Sequence, residues 1–171
     1  TPIGIRDRAM LTLLAYCALR EVELQRANIG NLTTQGDRIV LQVHGKGRLE
    51  ADEIVVVPLS QEAHLRAWLS RRLKVFPRGG SDPLFVSLSR RNAGSRLSTR
   101  SIRGIVKKRF AAAGVVGIRK TTHSLRHTAI TTALRANADP LKVRQMARHS
   151  SFDTTLRYHH EAERIDHPAE D

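Results

Sequence analysis

The sequence predicts an α+β domain, mostly helical with a small antiparallel β-sheet, and three observations carry that expectation. Apolar residues recur at helical spacing through most of the chain, β-branched runs are confined to residues 38–57, and no internal repeat or low-complexity segment breaks the pattern. With 171 residues and 40% hydrophobic content, the chain is long enough to bury one core, so a single domain over 1–171 is expected.

Ile5, Ala9, Leu13 and Cys17, with Met10 and Leu14 beside them, predict a first amphipathic helix with a broad apolar face. A short second helix is expected at Glu21–Ala27. The β-branched runs Arg38–Val43 and Glu53–Val57 flank His44–Asp52, which holds Gly45 and Gly47 and reads as a hairpin with a long tip; Asn31–Leu32 would add a short third strand. Leu65, Trp68, Leu69 and Leu73 define another helix, followed by a glycine- and proline-marked connection. In Thr99–Ala113, Ile102, Ile105, Val106 and Phe110 fall on one side, and Arg100, Arg103, Lys107 and Lys108 on the other, with Arg109 outside that division. A helix from Ser124 to Arg135 comes next, then one opened by Asp139 as N-cap and Pro140 as first helical residue, and a last helix over Asp153–Glu161. Met10, Trp68 and Phe110 are assigned to core packing.

Charge narrows the partners. The chain carries a net +13, and the acidic tail 161–171 conceals part of the basicity, because residues 1–160 hold 28 basic and 11 acidic side chains, a net of +17. Such an excess points to a polyanion. No segment approaches the roughly 20 apolar residues of a spanning helix, and no amphipathic stretch has an aromatic apolar face, so nucleic acid is favoured over a membrane. Cys17 is the single cysteine, which removes an internal disulfide and a cysteine-built metal site and fits a reducing cytoplasm. Thr1 is not an initiator methionine, so an upstream DNA-binding domain is expected outside this chain. The tail 161–171 is expected to be flexible or exchanged between neighbouring subunits.

Four short stretches carry the chemistry. "YCALREVEL" places Arg20 where the first helix gives way to the second, and "VHGKGRLEADEIVVVPL" sets Lys46 between glycines at the hairpin tip. "THSLRHT" opens a helix with His123 and Arg126. "MARHSSFDTTLRYHH" places His149 nine residues before Tyr158. Each alone is weak, but the succession Arg, Lys, His-x-x-Arg, His and Tyr, in this order from Ile5 to His160, resembles the catalytic domain of the tyrosine recombinase or phage integrase family. One departure is visible: the family usually has Leu-Gly before the second histidine, where this chain has Ala147-Arg148.

The resemblance implies the fold of DNA breaking-rejoining enzymes and a site-specific recombinase that transfers strands through a 3′-phosphotyrosyl intermediate on Tyr158. Attack on a phosphodiester adds charge to nonbridging oxygens, and the paired guanidiniums of Arg20 and Arg126 would neutralise it with forked N–H groups that a lysine lacks. Arg126 is expected in the first turn of its helix, where the macrodipole also favours an anion. A phenol titrates near ~10, so Tyr158 needs positive surroundings or a base, and His123 is the expected acceptor. The family gives His149 a hydrogen bond to the phosphate and Lys46 the proton for the leaving 5′ oxygen. The broken bond's energy is kept in phosphotyrosine, so no cofactor is needed. Asp37, Asp52, Asp82 and Asp139 stand apart in sequence rather than clustered for magnesium, and His123 and His127 lack a third ligand, so no metal is expected.

The blander readings differ by residue. Arg20 could satisfy helix-end carbonyls, Lys46 could be a solvated turn residue, Tyr158 a half-buried aromatic, and His127 purely structural. The basic helix face could be an ordinary solvated one; the charge excess favours phosphate contacts for Arg100, Arg103, Lys107 and Lys108, joined by Arg48, Arg119 and Lys120, with Arg71, Arg72, Arg90 and Arg91 as weaker candidates. The family acts as a tetramer on DNA, so self-association is implied for the full-length protein. Two alternatives stay open: a type IB topoisomerase-like relaxing enzyme, and a non-catalytic DNA-binding regulator of the same fold.

Overall fold

In the computed structural model, residues 1–45, 47, 49–76, 82–115, 117 and 120–166 are described. Helix α1 (Pro2–Tyr16) opens with Thr1, whose Oγ accepts the Gly4 N–H at 3.2 Å, and with proline in its first turn. Its apolar stripe is buried from Ala9 to Leu14, and Cys17 is buried just beyond it. The helix ends because Ala18 turns left-handed, with φ of 50°; the Cys17 and Leu19 N–H groups then both return to the Leu13 carbonyl at 3.3 Å. That reversal places Arg20 as N-cap of α2 (Glu21–Arg26).

A 3-10 turn at Ile29–Asn31 precedes β1 (Leu32–Gln35), so the expected third strand begins only at Leu32 and is longer than two residues. The Asn31 side chain explains the difference, since it accepts the Asn28 N–H at 2.8 Å and commits that residue to the turn. Strands β2 (Arg38–Val43) and β3 (Glu53–Val56) complete an antiparallel sheet in the order β1-β2-β3, with Val40 opposite Val56. Val57 lies past β3, yet its N–H still reaches the Ile39 carbonyl at 2.9 Å. Helix α3 (Leu59–Val75) buries Leu65 and Trp68, whereas Leu73 faces solvent. Glu62 on α3 ties the sheet to the helix by accepting the Ile39 N–H at 2.8 Å. The main core gathers around α1, β2, α3 and the segment Leu84–Val86, where the Trp68 indole donates to the Leu84 carbonyl at 2.9 Å.

Helix α4 (Thr99–Ala112) buries Ile102 and Val106, with Ile105 and Phe110 partly covered. Arg109 breaks the two-sided pattern for a reason: it donates to Asp7 at 2.6 and 2.8 Å, and Asp7 also pairs with the buried Arg6 at 2.7 Å. The second core packs Ala18 against α5 (Thr122–Arg135) and α6 (Pro140–Ala147). As expected, Asp139 caps α6, accepting the Leu141 N–H at 2.8 Å. Helix α7 (Phe152–Asp166) is longer than the expected Asp153–Glu161 and takes the first residues of the acidic tail into the helix. No helix among the described residues is long and apolar enough to cross a membrane.

Candidate active site at the junction of α1, α5 and α6

Three backbone carbonyls organise the site. The left-handed turn at Ala18 aims its carbonyl at α5, where it accepts an N–H from Arg126; a second Arg126 N–H goes to the Ala147 carbonyl at the end of α6. Arg20 donates to the Arg148 carbonyl at 3.0 Å and to Glu23 at 2.7 Å. The two guanidiniums are thus fixed by the ends of α1 and α6. A guanidinium carries five N–H groups, so these bonds leave others on each for a ligand. Arg126 is the fifth residue of α5, two residues deeper than expected and past the first turn, because the helix starts at Thr122 and not at Ser124. Its position is set by the carbonyls and not by the helix N-terminus.

Burial, then the neighbouring charges of Arg20 and Arg148, depress the Arg126 guanidinium to about 10, still fully charged at neutral pH. Arg20 lines two clefts. One, of ≈ 640 Å³, is shared with Arg144, Arg148 and His149; the other, of ≈ 460 Å³, with Thr122, His123 and Arg126. His123 is exposed at the rim of the second. His149 turns Nδ1 to the hydroxyl of the fully buried Thr155 at 2.9 Å. Burial and the charges of Arg126, Arg20 and Arg148 push its imidazole down to about 4. His149 is therefore neutral at pH 7, and any proton it donates comes from a neutral ring.

Tyr158, half-buried on α7, stacks on His149 with centroids 5.8 Å apart and rings within 15° of parallel. Its hydroxyl lies 3.1 Å from His127 Nε2, and His127 meets His123 edge-on at 4.9 Å between centroids. The sequence gives the phenol's proton to His123; in the structure the direct neighbour is His127, one helical turn further on. The structure thus brings together five of the six residues singled out by the motif: Arg20, His123, Arg126, His149 and Tyr158. Lys46, together with Arg48 and Arg119, lies outside the described residues.

Sequence reasoning missed four contributors. Glu23, 4% exposed, accepts both Arg20 and the Arg20 backbone N–H. Arg148, Thr155 and His127 are the others. Glu23 has a visible signal, an acid three residues after Arg20 at the start of a helix, as in a capping box. Arg148 has one too, being part of the Ala147-Arg148 pair that departs from the family pattern.

The basic face is heterogeneous. Arg100, Lys107, Lys108 and Lys120 are exposed. Arg103 forks onto Glu21, which also accepts the Thr122 hydroxyl at 2.9 Å, so this arginine staples α4 to the start of α2 and α5. Arg72 is no surface cation: it is 1% exposed, donates to the Phe76 carbonyl at 2.6 Å and stacks over the Phe76 ring.

Comparison with known proteins identifies the family and the fold. A tyrosine recombinase of Synechocystis sp. (slr0733) is 35% identical over 156 residues, covering 91% of this chain and 48% of the relative. XerD of Xanthomonas campestris is 35% identical over 167 residues, covering 92% and 49%. The chain spans about half the length of these curated relatives. Among solved structures, XerA recombinase superimposes with a TM-score of 0.73 at 28% identity, over 96% of this chain and 60% of that one. XerH bound to its palindromic difH substrate in a post-cleavage complex gives 0.77 at 21% identity, over 100% and 48%, a likeness of fold. The phage integrase family profile matches residues 1–164, from the cap of α1 to within α7, and the chain belongs to that family.

Proposed function

We propose that this chain is the catalytic domain of a site-specific DNA recombinase that cleaves and rejoins DNA through a 3′-phosphotyrosyl bond to Tyr158. The observation that carries the reading is the assembly of two guanidiniums, fixed on the helix-end carbonyls of Ala18, Ala147 and Arg148, beside a histidine that stacks on the tyrosine ring. Arg20 and Arg126 neutralise the charge that builds on the nonbridging oxygens when the phenol attacks. His149 donates from Nε2 to the same phosphate, which requires the Thr155 hydroxyl to donate to Nδ1. His123 or His127 accepts the phenol proton, and Lys46 supplies one to the departing 5′ oxygen. The phosphotyrosine conserves the bond energy for attack by a second 5′ hydroxyl, so strand exchange needs no cofactor.

Arg100, Lys107, Lys108 and Lys120, with Arg48 and Arg119, hold the duplex through its phosphates; the family names of the relatives and the +17 of residues 1–160 support this. The full-length protein acts as a tetramer in the cytoplasm, on two duplexes. The reading is tested by incubating the full-length protein with a nicked cognate site. The wild type yields a covalent protein–DNA adduct stable to denaturant, and Tyr158→Phe yields none while binding DNA within about threefold of wild type. Supercoil relaxation without strand exchange would instead indicate a topoisomerase, and tight binding without any adduct a regulator.

A further inference from the structure

Arg148 stands, after Ala147, where the family usually has the glycine of Leu-Gly, and its geometry is costly. It holds φ of 53° and ψ of 49°, a left-handed conformation in which glycine is at ease and other residues are strained. Its side chain is 4% exposed. One N–H donates to the Met146 carbonyl at 2.7 Å, another to the Ala18 carbonyl at 3.0 Å, and the guanidinium meets Glu23 at 2.6 Å on one oxygen and 3.3 Å on the other. Glu53 stands 3.7 Å from its Nε. An outlier kept at a buried charge calls for a function.

Glu23 supplies that function's logic. Arg20 and Arg148 share its carboxylate, and Arg20 also donates to the Arg148 carbonyl. With Arg148 removed, Arg20 would be the sole guanidinium on Glu23 and would be held there by an undivided charge. We propose that Arg148 is a positioning residue of the phosphate pocket: it neutralises Glu23 from behind, so that the Arg20 guanidinium remains electrostatically available to an incoming phosphate. This rests on the reading of the Arg20 and Arg126 pocket as a phosphate site. Burial would raise the Glu23 carboxyl, but the charge and hydrogen bonds of Arg148, with those of Arg20, hold it below the usual carboxylate range.

The test uses inorganic phosphate as probe, titrated at low salt and followed through the ring resonances of His149 and His123. Arg148→Gly suits the left-handed turn and removes only the side chain. It is expected to weaken phosphate binding about tenfold, and Glu23→Gln added to that variant is expected to restore affinity to within about threefold of wild type, because Arg20 is then no longer held by a charge. Arg148→Lys, which keeps the charge, is expected to retain most of the affinity and serves if Arg148→Gly does not fold. Wild-type binding matched by Arg148→Gly, a loss that Glu23→Gln does not rescue, or a tenfold loss in Arg148→Lys would each overturn the proposal while leaving the pocket assignment intact. Absence of any His149 or His123 response in the wild type would overturn both.

Discussion

His149 links the electrostatics of single residues to a measurable pH dependence. Its imidazole is driven down to about 4 by burial and by three guanidiniums, against about 6.5 in an unfolded chain. Between those values the unfolded state binds the extra proton, so this residue's contribution to stability is complete above about pH 6.5 and declines as the pH falls towards 4. A bound phosphate offsets the charge of Arg20 and Arg126 and must raise the His149 value. Titration by NMR should therefore find His149 neutral at pH 6 in the free chain and shifted upward with phosphate present; an unchanged midpoint would place the anion elsewhere. This residue was legible in the sequence because its spacing to Tyr158 matches the family. Arg148 was visible as a departure, but its burial was not, since an arginine at a helix end is ordinarily solvent-facing. His127 gave no signal separating a ligand of the tyrosine hydroxyl from a structural histidine.

Among elements, α6 matters most, because its last turn supplies the Ala147 carbonyl and its C-cap supplies Arg148. Both depend on the helix starting where Asp139 caps it. Asp139→Ala should cost about 1 kcal/mol in thermal or denaturant unfolding, and fraying of α6 should also loosen Arg126; stability equal to wild type would mean that the cap is not what fixes the helix. Helical elements were readable from apolar spacing, and α6 from its Asp-Pro start. The boundaries that differ do so for local reasons. Asn31 is captured by its side-chain bond to Asn28, and α5 starts early because Thr121 and Ser124 form a reciprocal cap that admits Thr122 and His123 to the helix. These side-chain bonds compete with periodicity and leave no periodic trace.

At the scale of the whole molecule, fold class and the basic surplus were both legible, while the pairing of individual cations was not. Arg103 and Lys107 look equivalent on a helical wheel, yet Arg103 is bound to Glu21 and Lys107 is exposed. Pairing across 82 residues of sequence is set by tertiary packing, which composition does not encode. Lys107→Gln should lower the dependence of log Kd on log salt for duplex binding by about 1, as expected for one lost phosphate contact. Equal slopes would return α4 to an ordinary solvated face. The central claim, that two guanidiniums and one phenol act on the same phosphorus, is tested most directly by digesting the covalent adduct formed on a nicked duplex and mapping the linked peptide. The account predicts a 3′-phosphoryl group on Tyr158, in the segment after His149. Attachment at Tyr16, at any other side chain, or through a 5′ phosphate would contradict it.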